Sequence, residues 1–393
     1  MQFQEPGTNS SAVLDSLQIV DSRLLNTKSL RKVEASTALG WDFRLFSGLT
    51  HLSLGNGDCD MARTQTSQRD FLDALRRMPT LQLLYLKGPV LPEAVDRPSL
   101  EPVYLPDLQD LSVFDTVSTI EFFLHHVIFS TTTRTAIGCK HLGPVLRFAD
   151  ISPVLVPLKR LLSERPLTSR LHHVEFSFHE DEIVDLRFHG WVFPGPSSLN
   201  GYNPKFPSGI ADFTFSVEWN SEVNVLPPDM DEFSVGMFGL FPQDDVVSLS
   251  LSSYDIADLW FRPFFHKISR LPALNALFMD HLSSSLFLLE LNRDVPQERV
   301  NPSMATYPAL LYLDFSKCLL NTPAQKSLYE YLKKRSENGL GLRKLTVDLR
   351  IPKNGDKKVI ALLEKVAEIV WMESDFDGSA SDLDSVQDSD SVY

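Results

Sequence analysis

The sequence predicts an α/β solenoid of leucine-rich repeats, with parallel strands on a concave side and helices and loops outside. Two observations carry that prediction. The first is a recurring phrase, L-x-x-L-x-L with relaxed apolar choices, clearest at Leu105–Val113, where Leu108, Leu111 and Val113 form the apolar set. Close copies are Leu49/Leu52/Leu54, Leu81/Leu84/Leu86, Leu274/Leu277/Met279, Leu310/Leu313/Phe315 and Leu342/Leu345/Val347. Looser ones are Leu14/Leu17/Ile19, Leu30/Val33/Ala35, Leu171/Val174/Phe176, Ile183/Leu186/Phe188, Ile210/Phe213/Phe215 and Val246/Leu249/Leu251. A strand buries alternate residues, so the last two apolar positions share one face. The second observation is that helix signals fall between several of these phrases. One such unit cannot bury its apolar face alone and must stack on its neighbours, which is the logic of a solenoid.

The elements follow in order. Residues 1–12 are polar and expected to be disordered, and the repeats begin at 13. Ser67 opens a helix through the capping box Ser67-x-x-Asp70, with Phe71, Leu72, Leu75 and Met78 on its buried face and Pro79 ending it. Ser118 and Glu121 suggest a second box, followed by the helical stripe Ile120, Phe123, Leu124, Val127 and Ile128. A Thr-rich strand follows, over 131–137. Pro144, Pro153 and Pro157 interrupt the next stretch, where helical pieces are expected around Val154–Leu162.

Residues 138–230 form an irregular segment, and the loops at 190–230, rich in Pro and Gly, surround one strand, Phe213–Trp219. The C-terminal third is regular again. Thr322, Pro323 and Gln325 start a helix that packs Leu328, Tyr331 and Leu332 inward, carries Lys333, Lys334 and Arg335 in its last turn, and stops at Asn338-Gly339. A last helix from Asp356 buries Val359, Leu362, Leu363, Val366 and Val370. The solenoid ends at 372. Residues 373–393 hold seven acids and no Lys or Arg, and are expected to form a disordered acidic tail. In it Ser374, Ser379, Ser381 and Ser385 each precede an Asp by three residues, the pattern that acid-directed kinases favour.

Charge and composition narrow the function. The 393 residues carry a net charge of −14, half of it in the tail, which argues against a nucleic-acid backbone as partner. No apolar run approaches ~18 residues and the first residues lack a signal peptide's apolar core, so no membrane partner is expected and the expected compartment is cytoplasm or nucleus. Cys59, Cys139 and Cys318 match neither a disulfide framework nor a zinc spacing. The adjacent pairs His125-His126 and His172-His173 point apart on a helix or strand, so no metal is expected there. No phosphate-binding loop, dinucleotide fingerprint or nucleophile elbow occurs, and no cofactor or catalytic residue is assigned. An enzyme site in the 190–230 loops stands as the less favoured alternative.

Protein binding is therefore the expected function, and the repeat places its surface. Residues flanking and separating the last two apolar positions of each phrase project to the concave side in columns. These hold Tyr85 and Phe114 on neighbouring repeats, with Lys87 and Asp110. Further along they hold Phe278 and Tyr312, with Asp280 and Asp314. Aromatic residues dominate the energetic centres of interfaces, so these four rings are the expected anchors, exposed on the concave face.

Several segments together resemble one family: Phe46–Leu54 (FSGLTHLSL), Phe71–Leu86 (FLDALRRMPTLQLLYL), Leu105–Leu124 (LPDLQDLSVFDTVSTIEFFL) and Tyr307–Trp371, which contains YPALLYLDF, LYEYLKKRSENGLGLRKLTV and IALLEKVAEIVW. They are similar to the leucine-rich C-terminal part of the large F-box protein families of mushroom-forming fungi. The resemblance covers most of the chain from about residue 40. It implies a substrate-binding part of an F-box ubiquitin-ligase receptor. The F-box itself, an apolar helical run opening with Leu-Pro, is not found before Leu49. A Skp-type adaptor is thus implied as a partner only where an F-box precedes Met1. The other expectation is a scaffold unrelated to ubiquitination.

Overall fold

The computed structural model describes residues 2–4, 12–13, 31–36, 43–55, 66–92, 100–143, 145–180, 183–192, 210–220, 230–253, 265, 267–280, 287–288, 307–318, 320, 322–348 and 357–372. The phrase at Leu14–Ile19, most of the 190–230 loops and the 373–393 tail lie outside them. In chain order the strands are β1 (Gln2–Gln4), β2 (Ala12–Val13), β3 (Lys32–Ser36), β4 (His51–Gly55), β5 (Leu83–Lys87), β6 (Val103–Leu105), β7 (Asp110–Thr116), β8 (Val127–Phe129), β9 (Arg134–His141), β10 (His173–Glu180), β11 (Ile183–Trp191), β12 (Phe213–Asn220), β13 (Ser248–Ser253), β14 (Ala276–Asp280), β15 (Tyr312–Lys317), β16 (Lys344–Asp348) and β17 (Glu368–Met372). The helices are α1 (Gln68–Arg76), α2 (Val117–His126), α3 (Phe148–Ser163), α4 (Met230–Phe238), α5 (Thr322–Glu337) and α6 (Lys357–Leu363).

One open 15-stranded sheet runs in the order β17-β16-β15-β14-β13-β10-β11-β12-β9-β7-β5-β4-β3-β1-β2, and β6 and β8 pair separately. The pairing is parallel from β3 to β9 and from β13 to β17. The fold is thus mixed α/β around a large, mostly parallel sheet that does not close into a barrel. The irregular segment has a simple basis. After α3 the chain lays down β10, β11 and β12 as an antiparallel meander, in reverse spatial order, so that β12 joins β9 and β10 joins β13, both in parallel. Direction is invisible in a period-two pattern, because parallel and antiparallel strands alternate alike. At the other end β1, within the stretch expected to be disordered, pairs antiparallel with β3 and with β2. Backbone hydrogen bonding there extends the sheet past the apolar pattern.

The alternation sorts the two faces. Leu52, Leu54, Leu84, Leu86, Leu111, Val113, Leu249, Leu251, Leu277, Leu313, Phe315 and Leu345 are each at most 2 % exposed and belong to one apolar cluster with the helices. Burying such a side chain contributes roughly 1.5–3 kcal/mol, so the stacked rows dominate the stability. Rings fill the middle: Phe188 packs against Phe176, Phe213 and Phe241 with centroids 5.0–5.5 Å apart.

Helix α1 starts as its capping box dictates, with the Ser67 hydroxyl accepting from the Asp70 amide at 3.1 Å, and Phe71, Leu72, Leu75 and Met78 are buried. In α2 the boundaries differ from expectation. Thr116, not Ser118, is the N-cap, and the helix ends at His126. Val127–Phe129 then form β8 on β6, leaving Ile128 42 % exposed, since a β-branched run suits an extended partner better than another helical turn.

Helix α3 is continuous through Pro153 and Pro157. Pro153 has no amide for the Ala149 carbonyl, and the Ser152 hydroxyl donates to it instead at 3.4 Å. Helix α5 ends at Glu337, and Gly339 just beyond it has a φ of +75°, which favours a residue without Cβ. The last expected helix is shorter: α6 stops at Leu363, and Val370 lies in β17, whose residues continue the sheet beside β16.

Candidate functional site

The face of the sheet turned away from the apolar cluster is a grid of rows. Reading across the strands, one row runs Glu34, Ser53, Tyr85, Ser112, Ala136, Thr214, His189, Glu175, Ser250, Phe278, Asp314 and Thr346. These positions alternate with buried ones, so their side chains stand on the open face.

The expected residues fall into two patches. Tyr85 pairs with Ser112 and Lys87 with Phe114, which places the two rings on neighbouring strands, offset by two residues. Strand spacing and rise put their α-carbons about 8 Å apart. Asp110 opens the same strand and binds Arg134 at 3.0 Å. In the second patch Phe278 pairs with Asp314 and Ala276 with Tyr312, the same diagonal relation. Asp280 binds Lys317 at 2.6 Å, and Tyr312 accepts a hydrogen bond from Arg343 at 3.4 Å. A hollow of about 20 Å³ lies among Phe278, Tyr312, Asp314, Lys344 and Thr346. It holds about one water, far below the ~300 Å³ that small-molecule sites begin at. Lys87 is exposed, whereas the four rings expected to be exposed are half-buried.

Between the patches lies a polar centre whose His173, Glu175, Ser248 and Ser250 fall in the columns of the phrase without being among its expected anchors. Ser248, Ser250 and Ser252 line the open side of β13, all at most 8 % exposed. Burial pushes the Glu175 carboxyl up, and Asp280, one strand beyond these serines, adds to it, while Lys317 draws it back. His173 meets the Ser248 hydroxyl through Nδ1. Its burial, with His172 beside it, pushes the imidazole down to about 4. His189 bonds the Thr214 hydroxyl at 3.0 Å and is likewise lowered, first by burial and then by Arg187.

Two rows further, Lys140, Glu218, Asp185 and His179 stand side by side, with Arg187 on the Asp185 carboxylate. The alternation in IVDLRFHGW does place Asp185, Arg187 and His189 on one face. Their approach to β12 depends on the meander, which the sequence pattern does not show. Among the described residues no group of three metal-binding side chains converges. His125 and His126 instead bond the carbonyls of Glu121 and Phe122, one helical turn back, at 2.8 and 2.9 Å. Burial and Asp115 push the Cys139 thiol up, which disfavours the reactive thiolate. No helix among the described residues is long and apolar enough to cross a membrane. No known family model matches the chain, and a search of curated proteins finds no relative.

Proposed function

We propose that the protein is a leucine-rich solenoid that binds another protein through the open face of its sheet, without chemistry of its own. The observation that carries this is the parallel register, regular from β3 to β9 and, between β14 and β15, regular over Ala276–Phe278 before it shifts at Asp280. It sets Tyr85 beside Phe114, and Phe278 beside Tyr312, each pair flanked by charged groups. That is an aromatic centre with a polar rim, the anatomy of an interface. The shallow relief of the second patch suits a protein surface better than a small ligand. The similarity to F-box receptors supports a role as a substrate-binding part, in cytoplasm or nucleus, with a Skp-type adaptor as a second partner where an F-box is present in the full chain.

The experiment is affinity capture from a fungal lysate with the intact chain, identification of the partner, and titration of alanine variants at Tyr85, Phe114, Phe278 and Tyr312. At least one patch is expected to lose about 2 kcal/mol of binding with its unfolding midpoint unchanged. Four variants that bind as wild type would remove the open face from consideration. Co-capture of an adaptor and cullin assigns the receptor role; capture without them assigns the plain scaffold.

A further inference from the structure

The open face of β11 holds a buried acceptor without a donor. Asp185 faces the open side of β11, yet it is only 6 % exposed. Its Oδ2 is held by Arg187, while Oδ1 has no hydrogen-bond partner among the described residues. A buried acceptor left unpaired costs on the order of 1–3 kcal/mol, so native structures rarely keep one without a use. Directly across the antiparallel pair stands Glu218, half-buried. Its carboxyl is pushed up by burial and then by Asp185, and the cations around it, Arg187, Lys140 and Lys87, only partly offset this. No ion pair or hydrogen bond ties the Glu218 side chain among the described residues. Glu218 therefore presents free carboxylate oxygens on the face, beside a buried Asp185 whose Oδ2 is engaged by Arg187 and whose Oδ1 is unpaired.

We infer that Asp185 and Glu218 form a seat for a basic side chain of the protein partner, arginine in particular. This deepens the proposed open-face binding and rests on it. A guanidinium carries five donors in a planar fork and bridges two carboxylates, whereas an ammonium offers a point charge. It would sit over Glu218 and compete with Arg187 for Asp185, whose soft terminal torsion would turn one oxygen toward the face at the expense of the Arg187 contact. The seat lies between the two aromatic patches, on the β9–β12–β11–β10 stretch, so a partner spanning both would pass over it. A basic, aromatic-contacting segment is the class of ligand that this combination fits.

The test uses the full-length chain and a tetra-arginine peptide as probe, with tetra-glutamate as the opposite charge, titrated calorimetrically at about 50 mM salt, where surface attraction is little screened. The acidic tail also attracts such a probe, so the comparison is between variants. Asp185→Asn and Glu218→Gln should each weaken tetra-arginine binding at least fivefold. Asp73→Asn and Glu164→Gln, which remove acids from exposed helix surfaces, should not. Glu218 is half-exposed, so its variant keeps the test valid if Asp185→Asn fails to fold. Equal affinity of wild type and Glu218→Gln, or preference for tetra-glutamate, overturns the seat. If the aromatic variants lose the captured partner while tetra-arginine binding ignores Asp185 and Glu218, the seat falls and open-face binding stands.

Discussion

The ring of Phe114 lies directly against the backbone of Gly138 on the next strand, in the space that a β-carbon at 138 would occupy, with the Ser216 hydroxyl 3.0 Å from that same point. Glycine at 138 is thus what lets one anchor of the first patch fold down onto the sheet, and it accounts for the half-burial of Phe114. Replacing Gly138 with Ala forces the ring outward and should cost about 1–3 kcal/mol of stability, the usual range for overpacking. The origin is checked by a double-mutant cycle: in a Phe114→Ala background the same Gly138→Ala change should cost close to nothing. An unchanged cost in both backgrounds would place the strain elsewhere.

That contact also marks what the sequence could and could not reveal. The L-x-L spacing assigns Leu111 and Val113 inward and therefore Ser112 and Phe114 outward, so the strand positions of the four rings were legible, down to the pairing of Tyr85 with Ser112 and of Phe278 with Asp314, but their half-burial was not. Which neighbour Phe114 touches was not, since Gly138 lies in the irregular segment where the phrase fails. The meander of β10–β12 has the inward residues Val174, Phe176 and Phe178 at the same spacing as any parallel repeat, which conceals its reversed order. The carboxylate seat is a product of that reversal: Asp185 and Glu218 are 33 positions apart in the chain and meet only because β11 and β12 run in opposite directions.

The run Lys333-Lys334-Arg335 illustrates a second kind of opacity. By composition it is a solvated, basic last turn, and Lys333 and Lys334 fit that description. Arg335 does not: it is 2 % exposed, donates to the carbonyls of Tyr307 and Leu310 at 2.9 and 3.2 Å, and lies 5.6 Å from the Tyr331 ring centroid. It ties the end of α5 to the turn that launches β15, and so to the strand that carries Tyr312. Arg335→Lys keeps the charge and loses the fork. With two buried carbonyls deprived of their donor, the expected loss is about 2–4 kcal/mol by urea unfolding. A loss under about 0.5 kcal/mol would show that the carbonyls find other donors.

The last prediction concerns the ion pair beside the second patch. Lys317 holds Asp280 at 2.6 Å and also draws down the Glu175 carboxyl, which burial and Asp280 both push up. Lys317→Met leaves Glu175 and Asp280 as two carboxylates across a strip of buried serines, with their shared cation gone. The pair is partly exposed, so the expected cost at pH 7 is modest, on the order of 1 kcal/mol. Its pH dependence is more telling. Glu175 has a folded pKa above its unfolded one, so the folded state takes up its proton first as pH falls. Between the folded and unfolded values stability therefore rises as pH decreases. Removing Lys317 raises the folded value further and widens that window. The difference in unfolding free energy between wild type and Lys317→Met should accordingly shrink on going from pH 7 to pH 5, as protonation of Glu175 removes the repulsion. Urea unfolding at the two pH values measures it. A difference that stays constant or grows toward pH 5 would mean that Lys317 acts on Asp280 alone and that Glu175 does not share the cation.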